Sequence, residues 1–213
     1  MSMPFDGFDW KQFIRRINAL PFDVAAESLP WELTACSEAI VRNMLNNLSP
    51  NDFEIAGDVA IHRSAVVEAG AILKGPLVLG AGCFVASGAY LRGGNWLERD
   101  CSLGPGVELK SSFLFAGVKL AHFNFVGDSF IGEQVNMEVG SIVCNYRNER
   151  QGGEVRVRWN GVLQGLGDRK FGALIGDHGR VGANAVIAPG ALLRPDQVVQ
   201  RTALIDQEFG LIS

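Results

Sequence analysis

Broken every six positions, residues 55–109 read IAGDVA IHRSAV VEAGAI LKGPLV LGAGCF VASGAY LRGGNW LERDCS LGPGVE L. The first place of each block holds Ile55, Ile61, Val67, Leu73, Leu79, Val85, Leu91, Leu97, Leu103 and Leu109, aliphatic at every step. Two residues earlier runs a second lane, mostly small or apolar: Ala65, Ala71, Leu77, Cys83, Ala89, Asn95, Cys101 and Val107. Helices repeat at 3.6 residues and strands at 2, and neither produces a step of six. A triangular coil does. Each hexad supplies one short strand and one corner, and three hexads close a turn of about 18 residues. The aliphatic side chain points into the prism and the small one fits the crowded corner. The glycine that often follows, as in Leu79-Gly80, Leu103-Gly104 and Ile131-Gly132, takes the bend.

The lanes return at Ile175, Val181, Ile187 and Leu193, with Ala173, Ala185 and Ala191 two residues before three of them. The expected fold is therefore all-β, a parallel β-helix of about seven coils. Three regions follow: an N-terminal helical segment at 1–52, the β-helix at 53–200 and a C-terminal tail at 201–213. In the first, Trp10, Phe13, Ile14 and Ile17 share one helical face, and Ile40, Val41, Met44, Leu45 and Leu48 share another, ending before Pro50. An insertion at 147–169 interrupts the coils. There EVRVRW alternates, Asn160-Gly161 offers a type I′ turn, and Val162 and Leu163 follow, which predicts a protruding β-hairpin.

Composition narrows the function classes. The 26 glycines favour many regular turns over a helix bundle, and a net charge of −4 speaks against non-specific nucleic-acid binding. Cys36, Cys83, Cys101 and Cys144 show neither CxxC pairing nor secretory spacing and read as reduced thiols. The start, MSMPFDGFDW, lacks the basic and apolar regions of a signal peptide, and no apolar run approaches the ~18 residues of a membrane span. A cytoplasmic protein, with no membrane partner, is expected.

Two features point to chemistry. Lys74, Arg92 and Lys110 stand 18 residues apart, so they stack as a basic column down one corner. Like charges at strand spacing repel, so the column either fans into solvent or holds an anion such as a phosphate. The lane also slips once: from Leu109 to Ile131 is 22 residues, two short of four hexads, and His122 lies in that stretch. Irregularities in a repeat often mark function, although a lone histidine is more often structural.

The hexapeptide lanes resemble the hexapeptide-repeat transferase superfamily. Its coils wind left-handed, a hand that periodicity does not supply. Residues 108–148, ELKSSFLFAGVKLAHFNFVGDSFIGEQVNMEVGSIVCNYRN, resemble the acetyltransferase domain of the bifunctional N-acetylglucosamine-1-phosphate uridylyltransferase/glucosamine-1-phosphate acetyltransferases. That family has basic residues 30 and 12 positions before a catalytic histidine, where Arg92 and Lys110 stand before His122. Its HxxYxGD, VNxG and CNY segments correspond to HFNFVGD, VNMEVG and CNY, and its K-F-x-x-[IV]-IGD to KFGALIGD at 170–177.

The resemblance implies an acyltransferase using acetyl-CoA and no metal, acting as a homotrimer on an amino-sugar phosphate or nucleotide-linked sugar. His122 takes the general-base role, with Glu108 positioning or polarising it. Arg92, Lys110 and Lys170 hold the phosphate, with Asn136 on the sugar and Phe125 in place of the family tyrosine. Asn145 orients the acyl group, Tyr146 lines the thioester cleft, and Ala183 replaces a serine near the coenzyme. The family's final coil, its basic tail and its nucleotidyltransferase domain have no counterpart in the sequence, so no nucleotidyl transfer is expected. Two other classes compete. A carbonic anhydrase of this fold needs three clustered histidines, but only His62, His122 and His178 exist and they are far apart in sequence. A non-catalytic sugar-phosphate binder or scaffold is the other alternative.

Overall fold

The computed structural model describes residues 5–25 and 28–209. Its β-strands form three long sheets, visited in rotation. Sheet A includes Val59–His62, Leu77–Leu79, Asn95–Leu97, Phe113–Leu114, Phe130–Ile131, Ala173–Ile175 and Ala191–Leu193. Sheet B runs from Val66–Val67 to Val198–Val199, and sheet C from Ile72–Leu73 to Leu204–Ile205, seven strands each among the described residues. The seven coils stack in parallel, with Leu79 on Leu97, Val85 on Leu103 and Leu91 on Leu109. These side chains are fully buried, so one aliphatic lane fills the prism from each sheet.

The second lane is interior too. Leu77, Cys83, Ala89, Cys101 and Val107 join the same core, and all four cysteines are free thiols. Asn95, its polar member, is fully buried and satisfied: Nδ2 donates to the Arg92 carbonyl at 2.9 Å, and Oδ1 accepts from the Ser112 N–H at 3.0 Å. That bond begins a ladder. The Ser129 N–H donates to Ser112 Oγ at 3.1 Å and the Ala173 N–H to Ser129 Oγ at 3.0 Å, tying four coils at the corner between sheets C and A.

Two ends depart from the expected repeat. Ile55 is not on the inner lane; it is 43% exposed, on a strand Phe53–Ala56 that runs antiparallel to Val59–His62. Gly57-Asp58 reverses the chain there, with Gly57 at φ 57, and the reversed strand covers the first edge of sheet A. At the other end the rung Leu204–Ile205 pairs with Val186–Ile187, so the coil continues past residue 200.

The lane slip resolves into two coils of 17 residues. Leu97 stacks on Leu114 and Leu114 on Ile131, with the same interval at Leu103 to Leu120 and Leu109 to Val126. Both omissions fall at the corner between sheets C and A. The full coil turns there through Gly93 and Gly94, at φ 75 and 77, whereas the short coils turn through Ser111 at φ 49 and Asp128 at φ 48. One left-handed residue replaces two.

A second core lies outside the prism. Val78, Trp96, Phe113, Phe130, Leu174 and Leu192 make the outer face of sheet A apolar. The N-terminal segment, helices α1 (Pro30–Ala35) and α2 (Ser37–Leu45), and the insertion cover it. Phe113 and Phe130 stack 4.6 Å apart, and Trp10 meets Phe130 edge-on at 4.9 Å. The expected hairpin is present, Arg156–Trp159 against Val162–Gly165 around Asn160 and Gly161 at φ 48 and 80, a type I′ turn. It does not protrude; Val155, Val157 and Trp159 are buried in the second core.

The expected first helix is two 3-10 turns, Trp10–Gln12 and Ile17–Ala19. Between them the backbone bonds to the β-helix instead of to itself. The Asp177 N–H donates to the Phe13 carbonyl at 2.9 Å, and the Arg15 N–H donates to Asp177 Oδ2 at 2.9 Å. Trp10, Phe13, Ile14 and Ile17 are nonetheless all buried.

The last rung is clamped to the root of the insertion. Arg147, with 3% of its side chain exposed, binds Asp206 through Nη1 at 2.5 Å and Nη2 at 2.8 Å, and donates to the Pro189 carbonyl at 3.0 Å. Hydrogen bonding to Arg147 holds the Asp206 carboxyl below the usual aspartate range. A lowered native value contributes stability above the unfolded aspartate value of about 3.9, lost as pH falls through the native value. Asp206→Asn should therefore lower the melting temperature at pH 7, with parent and variant converging as the pH drops below 4 (about the unfolded value). A gap that persists unchanged at pH 3 (roughly one unit below it) would show that the ion pair is not its source. For the outer core, Phe113→Ala should cost about 3–5 kcal/mol in urea unfolding; a loss below about 1 kcal/mol would mean that the cover packs loosely on sheet A.

Candidate functional site

Along each strand of sheet C the middle residue points inward and its neighbours outward. The outer face carries Glu108 and Phe125, which are register partners on adjacent coils. The other nominated residues lie along its two margins. Arg92, Lys110, Asn145 and Lys170 gather at the corner between sheets C and A. His122 and Ala183 lie on the corner between sheets B and C, and Asn136 is on the adjoining strand of sheet B.

At the first margin the cations already have acids. Arg92 donates to Glu108 Oε1 from Nε at 3.0 Å and Nη2 at 2.6 Å. Glu108, expected beside His122, makes no side-chain hydrogen bond to it among the described residues. Lys110 Nζ binds both oxygens of Asp128, at 2.7 and 2.9 Å, and Asn145 Nδ2 donates to the same carboxylate. Asp128 is 4% exposed, so one buried carboxylate orients both residues. Lys74 sits 5.2 Å from the centre of the Tyr90 ring. The basic column is thus neutralised largely within the chain rather than left open. Lys170 is exposed and makes no ion pair among the described residues. It lines, with Lys110, Asp128 and Asp168, a cleft of about 720 Å³ whose far wall is Ser37, Glu38 and Arg42 of α2. Gly127 is required by close approach here, since a Cβ would fall 2.7 Å from Asn145 Nδ2 and 2.9 Å from Phe125 Cζ.

Tyr146 is 41% exposed, with its ring against Gly153 at the root of the insertion. Beside it Cys144 is half-buried, and burial pushes its thiol up, opposite to what a nucleophile needs.

His122 at the second margin is exposed. The corner stacks it with Val139, Ala183 and Arg201: Gly140 N–H donates to the His122 carbonyl at 2.9 Å, Asn184 N–H to Val139 at 3.0 Å, and Thr202 N–H to Ala183 at 2.8 Å. The next residue of each coil has positive φ. Gly70, Gly88, Gly106 and Gly140 serve on four coils and Asn184 and Thr202, at φ 56 and 61, on the last two, whereas Phe123 takes φ 52 and is 69% exposed. A bulky residue in that region is strained, and strain of this kind concentrates at functional sites. Phe123 and Asp128 were not nominated from sequence. Phe123 could have been found as an aromatic break in the lane Gly70, Gly88, Gly106, Gly140, which Asn184 and Thr202 continue with smaller side chains. Asp128 lies in the quoted HFNFVGD motif, but its partners come from other coils. Glu138 accepts the Ala183 N–H at 2.8 Å, and its carboxyl is held below the usual range by the Arg201 guanidinium.

His62 ends the strand Val59–His62 and His178 lies at a turn, both remote from His122 in the chain. Among the described residues no group of three His, Cys, Asp or Glu side chains is placed to hold a metal ion, and no helix is long and apolar enough to cross a membrane.

No protein-family model matches the chain. It is 32% identical over 186 residues to a bifunctional sugar-1-phosphate nucleotidylyltransferase/acetyltransferase of Sulfurisphaera tokodaii, covering 85% of this chain and 46% of that protein. It is 27% identical over 183 residues to the bifunctional protein GlmU of Methanococcus vannielii, covering 84% of this chain and 44% of that one. The chain thus spans less than half the length of these relatives. Among solved structures, a hexapeptide transferase family protein from Anaplasma phagocytophilum aligns with a TM-score of 0.35 at 18% identity, covering 68% of this chain and 72% of that one.

The Lys110–Asp128 pair is testable through a double-mutant cycle of Asp128→Asn and Lys110→Met in urea unfolding. Removing one partner leaves a mostly buried charge, so each single change should cost more than about 1 kcal/mol and the double change less than their sum. Additive losses would show that the two side chains do not interact.

Proposed function

The chain is a hexapeptide-repeat β-helix protein related to the bifunctional sugar-1-phosphate nucleotidylyltransferase/acetyltransferases, and from that premise we propose that it is an acyl-CoA-dependent sugar acyltransferase. The donor is acetyl-CoA and the acceptor an amino-sugar phosphate or a nucleotide-linked sugar. The single observation that carries this reading is His122: an exposed imidazole at the margin of sheet C, on the shortened coils, next to the strained Phe123.

In the proposed step the neutral imidazole takes a proton from the sugar amine as the nitrogen attacks the thioester carbon. The C–S bond then breaks, and the departing thiolate takes that proton back from the imidazolium and leaves as the coenzyme thiol. Asn145, held by Asp128, orients the acyl group, and Asn136 and Phe125 face the sugar. Tyr146 lines the thioester cleft and Ala183 borders the coenzyme. Arg92, Lys110 and Lys170 meet the phosphate. Since Arg92 and Lys110 already have carboxylate partners, Lys170 supplies the free charge and Lys110 a remaining N–H. Glu108 acts on Arg92 in this scheme.

The outer faces of sheets B and C carry exposed Val66, Ile72, Val198 and Leu204, which suits a homotrimer with sites between copies. The chain divides in this reading into an N-terminal cover, 1–52, and a transferase unit that begins at 53 and runs through the rung Leu204–Ile205. No nucleotidyl transfer is assigned, because the cover packs on sheet A as short helices and turns. A second reading, a sugar-phosphate binder without turnover, is favoured by the loss of a coenzyme contact, since Ala183 stands where the resembling family has a serine.

The test measures acetyl-CoA consumption and product mass over amino-sugar phosphates and nucleotide-linked amino sugars. His122→Ala should lower turnover by roughly 10²–10⁴-fold while changing acceptor binding much less. Melting temperature on the same sample separates a lost base from a lost fold. A folded variant with undiminished turnover would remove the base assignment, and no turnover by the parent chain would favour the binder.

A further inference from the structure

The acyl-transfer scheme puts the two ends of the acceptor at opposite margins of sheet C. Its amine meets His122 on the corner with sheet B, and its phosphate meets Lys110 and Lys170 on the corner with sheet A. The strands between, Glu108–Lys110 and Phe125–Gly127, are three residues long, about 10 Å of extended chain. One sugar ring and its phosphate span that width. The cleft of about 720 Å³ lies elsewhere: Lys110, Asp128 and Lys170 line it, but Glu108, Phe125 and His122 do not. It continues past the phosphate on the sheet A side of the corner, where α2 is its far wall. A phosphate monoester would end at the two lysines and leave the space against α2 to water.

That wall is seated directly on the corner. A Cβ at Gly94 would fall 2.5 Å from the Glu38 nitrogen, and Ser37 Oγ donates to the Gly93 carbonyl at 3.3 Å. Arg42, further along α2, is paired with Asp58 at 3.1 Å. Glu38 is exposed and makes no side-chain hydrogen bond among the described residues. Its carboxylate nonetheless stands at the phosphate margin. The place of a Cβ on Gly93 is 3.9 Å from Glu38 Oε1, 3.0 Å from Ser111 Oγ and 3.6 Å from Lys110 Cγ. The cleft therefore offers the unpaired ammonium of Lys170 together with an unpaired carboxylate. A phosphate suits the first and is repelled by the second, which needs hydroxyl or N–H donors instead. A nucleoside diphosphate carries both parts in sequence, phosphates and then a ribose whose hydroxyls a carboxylate can accept.

We propose that the acceptor is a nucleoside-diphosphate-linked amino sugar, with its diphosphate at Lys110 and Lys170, its nucleoside in the cleft against α2 and its ribose hydroxyls on Glu38. This assignment rests on the acyl-transfer reading, of which it selects one acceptor class, and it gives the N-terminal cover a part in recognition. The cleft volume falls in the range of small-molecule sites. Ala39, the next residue of α2, is exposed, lines the same cleft and contributes only a methyl group to its wall.

The experiment is calorimetric titration of the full chain with UDP, GDP, CDP and ADP and, separately, with glucosamine 1-phosphate, which has the phosphate but no nucleoside. Parent, Glu38→Ala and Ala39→Phe proteins are compared, with melting temperatures confirming that each is folded. Acetyl-CoA consumption is followed in parallel on amino-sugar phosphates and nucleotide-linked amino sugars. At least one diphosphate should bind the parent ten times more tightly than glucosamine 1-phosphate does. Ala39→Phe fills the cleft from α2 and Glu38→Ala removes the carboxylate, so each should weaken that diphosphate at least tenfold. Neither should change the affinity for glucosamine 1-phosphate, which stops short of α2. Failure of all four diphosphates to bind a parent that acetylates glucosamine 1-phosphate overturns the nucleoside seat and leaves the acyl-transfer reading standing. A diphosphate whose affinity survives Ala39→Phe overturns the seat as well. Diphosphate binding that both variants lose, in a chain that consumes no acetyl-CoA on any acceptor, upholds the seat and removes the acyl-transfer reading.

Discussion

The structure depends on closing each coil through three corners in 17 or 18 residues with one aliphatic side chain per sheet turned inward. Strands of two or three residues have no stability of their own. They persist because each rung pairs with the one above and below, and because Val85, Leu91, Leu97 and their equivalents stack into unbroken lanes. The corner imposes the complementary demand. Its second residue must adopt positive φ, so glycine recurs between sheets B and C at 70, 88, 106 and 140. A sequence that meets both demands at every sixth residue has little freedom left for another fold.

A prism one lane wide has three outer faces, and the chain treats them unequally. Sheet A is apolar outside and is sealed by the N-terminal segment, which precedes the coils, and by the insertion, which interrupts them, making a second core as aromatic as the first is aliphatic. Sheets B and C carry charged and polar side chains among scattered exposed apolar ones. The cover therefore does more than shield sheet A. It brings α2 against the corner that carries Lys110 and Lys170, so part of the wall of that cleft lies far from the repeat in sequence.

This inequality explains what could be read from the sequence. The inner lanes were legible because their period belongs to no other element, and the hairpin because Asn160-Gly161 demands two positive φ values. The cover was legible only as apolar spacing. Trp10, Phe13, Ile14 and Ile17 are buried as their pattern implies, but the backbone at Phe13 and Arg15 bonds to Asp177, a partner more than 160 residues away that no local pattern announces. The same limit applies at the site. Motif spacing brought Arg92, Lys110, Phe125 and His122 to one sheet and its margins, but it could not show that Glu108 turns to Arg92 or that Asp128 holds Lys110 and Asn145 together.

The shortened coils join fold and site physically. Lys110 and Asp128 are 18 residues apart in sequence, yet the register there advances by 17, so Lys110 lies beside Gly127 and Asp128 falls at the turn just beyond it. The Asp128 N–H bonds to the Lys110 carbonyl at 2.8 Å, which brings the carboxylate to the ammonium. The omitted residue also makes Asp128 itself the left-handed residue of its corner, a conformation that aspartate tolerates better than most side chains. The same backbone contact occurs one coil below, where the Ser111 N–H donates to the Arg92 carbonyl at 3.2 Å across a coil of 18 residues. What the short corner adds is that its one left-handed residue carries a carboxylate, and that single buried acid orients two residues of the site from neighbouring coils.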